Sequence, residues 1–159
     1  MSDRAGVHEK GTFNIQTLLA NTKRNPDFAK AGAIAVFIGV VRGENNEGQK
    51  VVNMTLEAYE ENANETLARI TQELMQKPGI VDVQIHHLLG EFNVGEEVVY
   101  VSVAASHRKE AFDVLREAVE RYKHEAPVFK KEKIVTAKGE EAEYWVSEKN
   151  SKNTSVMHP

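Results

Sequence analysis

Five cationic side chains, Arg121, Lys123, Lys130, Lys131 and Lys133, fall within thirteen residues of a chain whose formal net charge is −4. Such a cluster attracts anions, and an acidic chain has no general reason to gather cations in one place. Lys123 follows Val119 by four residues. On a helix its aliphatic stem then lies along the core edge with its ammonium at a cleft. Pro127 ends that helix, and a tight turn there brings Lys130 back near the helix end. A lysine so placed can act as an acid, a base or a nucleophile as well as an anion holder. The plainer alternative is a solvated helix end, where the dipole favours cations.

Two further segments carry similar chemistry. In Ala105-Ser106-His107-Arg108, the histidine and arginine stand where a strand becomes a helix. Free backbone amides point outward there and suit a phosphate, and Arg108 adds a planar fork that matches phosphate oxygens. His107 capping the helix beside a solvated Arg108 is the alternative. In Gly39-Val40-Val41-Arg42-Gly43, an arginine follows a buried strand into a glycine-rich loop and can reach a pocket; an ordinary loop arginine is the alternative. His86-His87 lies on a strand, where neighbours point to opposite faces, so the pair cannot chelate one metal from one side. The glycines form no phosphate loop or dinucleotide fingerprint, and the serines form no nucleophile elbow.

The elements that must hold these residues can be read from pattern. Asn14 to Thr22 is a short helix with Ile15, Leu18 and Leu19 on one side, followed by a turn at Asn25-Pro26-Asp27. Gly32 to Val41 reads as a strand buried on both faces, and residues 42–48 as a mobile loop. Val51 to Tyr59 is a strand. Glu60 to Lys77 is an amphipathic helix with Ala63, Leu67, Ile70 and Leu74 inward, stopped by Pro78-Gly79. Val81, Val83 and Ile85 alternate with Asp82, Gln84 and His86, predicting a half-exposed strand. Gly90 to Gly95 is a turn region, and Val99 to Ala105 a strand. Ser106 is the expected N-cap of a helix bearing Phe112, Leu115, Val119 and Tyr122, which ends near Ala126. Val128 to Thr136 and Glu143 to Val146 form a hairpin across Lys138-Gly139. Trp145 is expected in the core or an interface. Residues 1–147 are expected to be a single α+β domain with two main helices, and 148–159 a loose tail.

The 159 residues contain no cysteine, which excludes disulfides, thiolate nucleophiles and cysteine zinc sites. Net negative charge argues against a general nucleic-acid binder. The longest apolar run is too short for a bilayer, and the first ten residues lack an apolar signal core. A cytoplasmic location is the expectation.

Taken in order, Gly-x-Val-Arg, Leu56-Glu57-Ala58-Tyr59, His87-x-x-Gly90-Glu91, Ser106-His107-Arg108 with Ala111-Phe112, Lys123-x-x-Ala126-Pro127-x-x-Lys130-x-Glu132 and Tyr144-Trp145-Val146 resemble the large, catalytic subunit of molybdopterin synthase. The resemblance runs from about Gly32 to Val146. It implies an α/β hammerhead with an attached antiparallel β subdomain, and a homodimer within a heterotetramer. The implied partner is a small ubiquitin-like subunit whose C-terminal Gly-Gly thiocarboxylate gives sulfur to cyclic pyranopterin monophosphate, making the molybdopterin dithiolene. The implied enzyme is a sulfurtransferase that needs no metal or cofactor. By position the resemblance makes Lys123 and Lys130 catalytic. It makes Val40, Val41, Arg42, His107, Arg108, Lys123, Lys130, Lys131 and Glu132 substrate-binding. Lys149 stands where some relatives place an arginine thought to cross the dimer, and a lysine there is a point charge rather than a fork. The competing class is a non-catalytic adaptor that binds an acidic or ubiquitin-like partner tail. A hydrolase of small phosphate esters would need a water-activating base or metal, and none stands out. The expectation is that Arg42, His107, Arg108, Lys123 and Lys130 line one pocket in the assembled oligomer.

Overall fold

In the computed structural model, which describes residues 3–146 and the backbone of 156–157, the order is β1 (Ala5–Glu9), α1 (Ile15–Lys23), β2 (Ala33–Val40), β3 (Lys50–Ala58), α2 (Glu60–Met75), β4 (Ile80–Asn93), β5 (Glu97–Ala105), α3 (Arg108–Glu125), β6 (Val128–Val135), β7 (Glu141–Val146) and β8 (Val156–Met157). The strands run β2-β5-β4-β3-β6-β7-β8, all antiparallel, and β1 lies parallel to β4. This is a mixed helix and antiparallel-sheet fold. The expected tail, residues 148–159 with Lys149 included, lies outside the described residues apart from the β8 backbone, as does Ser147.

The molecule is organised on β4. Its first half pairs with β5 as far as His87, and its second half, from Gly90, pairs with β3. Gly90 has φ 132°, a conformation that L side chains rarely adopt. The strand bends there and passes from one half of the sheet to the other, where the sequence reading ends it in a turn. On one face of β4 lie α2 and α3, with Leu67, Ile70 and Leu74 against Val83 and Ile85, all of them 0–1% exposed. On the other face lies α1.

That second cover corrects the half-exposed strand. Asp82, Gln84 and His86 alternate as read, but all three are buried under α1 and the N-terminal strand. Each has a partner there, because a buried polar group left unpaired is destabilising. Asp82 accepts from Arg4 and Asn25. Gln84 donates to the Leu18 carbonyl and to Thr22 Oγ1. With its amide nitrogen so used, the Gln84 oxygen accepts from His86 Nε2 at 3.0 Å. His86 Nδ1 then accepts from His8 Nε2 at 2.9 Å. Phe13 stacks on both imidazoles, at 4.0 and 4.7 Å.

Three other expectations change. β2 is the edge strand, with Ile38 and Val40 exposed on a face expected to be buried. α3 is rotated by about one residue: Ala111, Val114, Ala118 and Tyr122 are buried, while Phe112 is 62% exposed. The small Ala111 packs with Ala35 and Ala105, which lets the helix approach the sheet closely, and a Phe there could not. β1 has no clear signal in the sequence, because Ala5 and Val7 are only two apolar residues among polar and charged neighbours. The 42–48 loop is tied by Asn45, whose side chain accepts from the Glu47 and Gln49 amides.

Burial holds the His86 pKa down to about 3, with the neighbouring His8 adding to the effect. The unfolded chain takes a proton at this ring near pH 6.5, and the folded chain only near 3. Stability is therefore full above pH 6.5 and declines as the pH falls toward 3. Urea titrations at pH 7.5 and 5 will show this loss. His86→Gln will flatten the pH slope while lowering stability at pH 7.5 by about 1–3 kcal/mol through the lost hydrogen bond. An unchanged slope in the variant would assign the acid sensitivity elsewhere.

Candidate functional site

Helix α3 decides where the cations go. Its end carries Lys123 in the last turn and Ala126 as C-cap; the Ala126 amide bonds to the Tyr122 carbonyl and the Val128 amide to that of Ala126. The chain turns at once into β6, so Lys123 stands three residues before the corner and Lys130 four after it. Lys123 is half-buried and has no carboxylate partner among the described residues. Its neighbour Arg121 is instead bound to Glu125 at 2.7 Å and to Glu73 at 3.0 Å. Arg69 joins both carboxylates. This network clamps α2 to α3, and the Arg121 guanidinium holds the Glu73 and Glu125 carboxyls below their ordinary range. It consumes one cation of the cluster in packing and leaves Lys123 out.

Strand alternation divides the rest of the cluster. Lys130 and Glu132 pair with Leu56 and Met54 on one side, and with Val146 and Tyr144 on the other. They share a face with Val128 and Ile134, which pack into the core. Lys131 lies on the opposite face. There it stands 5.4 Å from the Trp145 ring centroid and 3.8 Å from Glu143, which also pairs with Lys133. The sequence grouped Lys130, Lys131 and Glu132 as one stretch; the sheet brings Lys130 and Glu132 together and turns Lys131 away.

Arg42 is at the same end of the molecule as Lys123. The register runs Gly39–Val99–His87 across three strands, and the His87 ring meets Tyr122 edge-on at 5.8 Å. Arg42 is three residues beyond Gly39, in a loop whose residues Arg42 to Asn46 line an open concavity of about 610 Å³. Its guanidinium donates to Asn46 at 2.7 Å. Val40 is exposed and Val41 is 2% exposed.

His107 and Arg108 are at the other end. His107, not Ser106, is the N-cap, and no side chain caps the helix. Ser106 instead gives its amide to the Gly79 carbonyl at 2.8 Å. Gly32 packs so closely against this junction that an added Cβ would lie 2.3 Å from the Ser106 carbonyl oxygen. Both His107 and Arg108 are exposed. Arg108 and Lys123 are fifteen positions apart on the helix, about 22 Å at 1.5 Å per residue. One chain therefore presents two cationic poles: Arg42, Lys123 and Lys130 at one, His107 and Arg108 at the other.

Comparison with known proteins bears on what these poles serve. The family model described as MoaE protein matches residues 8–125. The chain belongs to the MoaE family. It is 39% identical to the molybdopterin synthase catalytic subunit of Pyrococcus abyssi over 140 residues, covering 88% of each chain. It is 34% identical to a probable molybdopterin synthase of Haloferax volcanii, where the match covers 85% of this chain and half of that longer one. Molybdopterin synthase from Staphylococcus aureus superposes with a TM-score of 0.74 at 29% identity, over 91% of this chain and 97% of that one. A complex of subunits 1 and 2 of the molybdopterin-converting factor from Helicobacter pylori contains the same fold, at TM-score 0.65 and 23% identity over 84% and 90%. No cluster of three or more metal-ligating side chains occurs among the described residues, and no described helix is long and apolar enough to cross a membrane.

The partition of β6 predicts unequal effects. In steady-state turnover, Lys130→Ala will raise the half-saturating concentration of an anionic substrate about tenfold, the loss of one charge-assisted hydrogen bond. Lys131→Ala will change it less than about twofold, as expected of a surface pair. Equal effects would mean that both faces of β6 meet the substrate.

Proposed function

We propose that this chain is the catalytic subunit of molybdopterin synthase and transfers sulfur to cyclic pyranopterin monophosphate. The sulfur comes from the C-terminal Gly-Gly thiocarboxylate of a small ubiquitin-like partner, since a chain without cysteine has no thiol of its own to give. The observation that carries this reading is the Ala126 corner, which sets Lys123 and Lys130 on either side of one bend in an acidic chain. Both reactants are anions, so one cationic pocket attracts both. Within it Lys123 acts as an acid–base group or forms a transient adduct with the donor's acyl group, and Lys130 and Glu132 hold the substrate. Family membership and the complex known for the Helicobacter pylori protein support this partner class. The reaction draws on no metal or cofactor, and its setting is the cytoplasm.

About 22 Å is too far for one phosphate to touch Arg108 and Lys123 of the same helix. The pocket is therefore built by two copies, the Arg108 pole of one meeting the Lys123 pole of the other, in a homodimer that becomes a heterotetramer with two small subunits. This also accommodates the exposed edge strand β2, which offers unpaired backbone and apolar side chains to a partner.

Lys123→Ala will abolish turnover, by about 10²–10⁴-fold, while shifting folding stability within about 1 kcal/mol. Lys123→Arg will be nearly as inactive, since arginine keeps the charge but does not readily give up a proton. Single-turnover assays with thiocarboxylated partner report both, and a near-normal rate for Lys123→Ala would sink the assignment. Sedimentation at micromolar concentration will show a dimer. Mixing inactive Lys123→Ala with inactive Arg108→Ala will restore part of the activity, because each mixed dimer regains one intact pocket. No recovery on subunit exchange would mean that each pocket belongs to a single chain.

A further inference from the structure

His87 is a buried titratable group that the lysine chemistry does not use. It is 2% exposed and lies where β4 changes partners. His87 is the last position paired with β5, and Gly90, three residues on, is the first paired with β3, opposite Leu56. Leu56 is also the register partner of Lys130. Over the imidazole lies the ring of Tyr122, edge-on at 67° with centroids 5.8 Å apart. Tyr122 is 6% exposed and immediately precedes Lys123. One imidazole therefore touches the helical turn that carries Lys123 and stands three residues from Gly90, whose partner Leu56 pairs in turn with Lys130.

The ring is also held in rotation. Its Nδ1 lies 3.0 Å from the Leu88 carbonyl oxygen. A carbonyl only accepts, so Nδ1 carries a proton and donates. An aliphatic side chain would fill this space without desolvating two ring nitrogens. It would fix neither the ring edge presented to Tyr122 nor the backbone at Leu88, just before the bend at Gly90.

We propose that His87 is a positioning residue for the lysine pair: held by the Leu88 carbonyl and packed against Tyr122, it sets the spacing between the Lys123 end of α3 and the strand that carries Lys130. This rests on the reading that Lys123 and Lys130 perform the chemistry.

The test is single-turnover sulfur transfer by the full chain with its thiocarboxylated partner and cyclic pyranopterin monophosphate. His87→Asn keeps an N–H near the Nδ1 position and removes the ring edge. Tyr122→Leu keeps an apolar filling and removes the ring, and serves if His87→Asn fails to fold. Either variant will slow the reaction about 10- to 100-fold, the effect of displacing a reacting group by about an ångström. The half-saturating substrate concentration will change less than about twofold, and sedimentation will be unchanged. The deciding readout is the double variant. His87→Asn combined with Lys123→Ala will be no slower than Lys123→Ala alone, because a group that acts through Lys123 has nothing left to position. Losses that multiply in the double variant would reveal a general structural defect and overturn the proposal. A wild-type rate in both His87→Asn and Tyr122→Leu would overturn it as well, leaving the lysine reading intact provided Lys123→Ala is dead. A wild-type rate in Lys123→Ala would defeat that reading, and the positioning role with it.

Discussion

The rest of the fold is arranged around a strand that is buried on both faces from Val81 to Leu88. β4 pairs with three other strands and is covered above by α2 and α3 and below by α1. Its polar residues must therefore be satisfied from inside the protein. Gln84 and His86 meet that demand from the N-terminal region, and Asp82 does so through Oδ1 alone, its Oδ2 staying buried without a partner among the described residues; these bonds fasten β1 and α1 to the lower face. The proton order of the His8–His86–Gln84 chain follows from the carboxamide at its end, whose nitrogen is already committed to Leu18 and Thr22. Protonating His86 would set two N–H groups against each other at 2.9 Å unless His8 changed tautomer. The seam is thus tight at neutral pH because every member has one role in it.

The same strand ties packing to the end that carries Lys123. Its bend at Gly90 carries the sheet from the helix-covered half to the β3-β6-β7 half, and α3 ends over that bend. The last turn of a helix and the first residues of a strand can hold two lysines together only if the corner between them is fixed. Here it is fixed by Pro127, by the Tyr122–Ala126 and Ala126–Val128 backbone bonds, and by the Arg69–Glu73–Arg121–Glu125 network on the outer side. Each of these exposed ion pairs is weak alone. Their arrangement matters more than their sum, since they occupy Arg121 and, among the described residues, leave Lys123 without a carboxylate.

A rigid rod also separates. The eighteen residues of α3 put its N-terminal amides, His107 and Arg108 at the far end from Lys123. A helix N-terminus suits phosphate, and a lysine can serve proton transfer. A reaction needing both must bring together ends that one copy holds apart. On the proposed reading, assembly is part of the chemistry rather than an addition to it.

The sequence by itself determined the local grammar and the inventory of charges. Helix ends at Pro78 and Pro127, the inward stripe of α2, the hairpin at Lys138-Gly139 and the opposed facing of His86 and His87 follow from local sterics and periodicity. So does the presence of unusual cations in an acidic chain. Tertiary structure alone decided what periodicity cannot encode. The alternation at Asp82, Gln84 and His86 is the same whether the polar face meets water or α1, and only the packing of a distant helix distinguishes the two. The rotation of α3 depended on how closely Ala111 could approach Ala35, a contact between residues far apart in the chain. Lys130 and Lys131 are neighbours in sequence and opposites in space, because a strand alternates and a string of letters does not. Arg108 and Lys123 look like parts of one motif until the rise of a helix is measured between them.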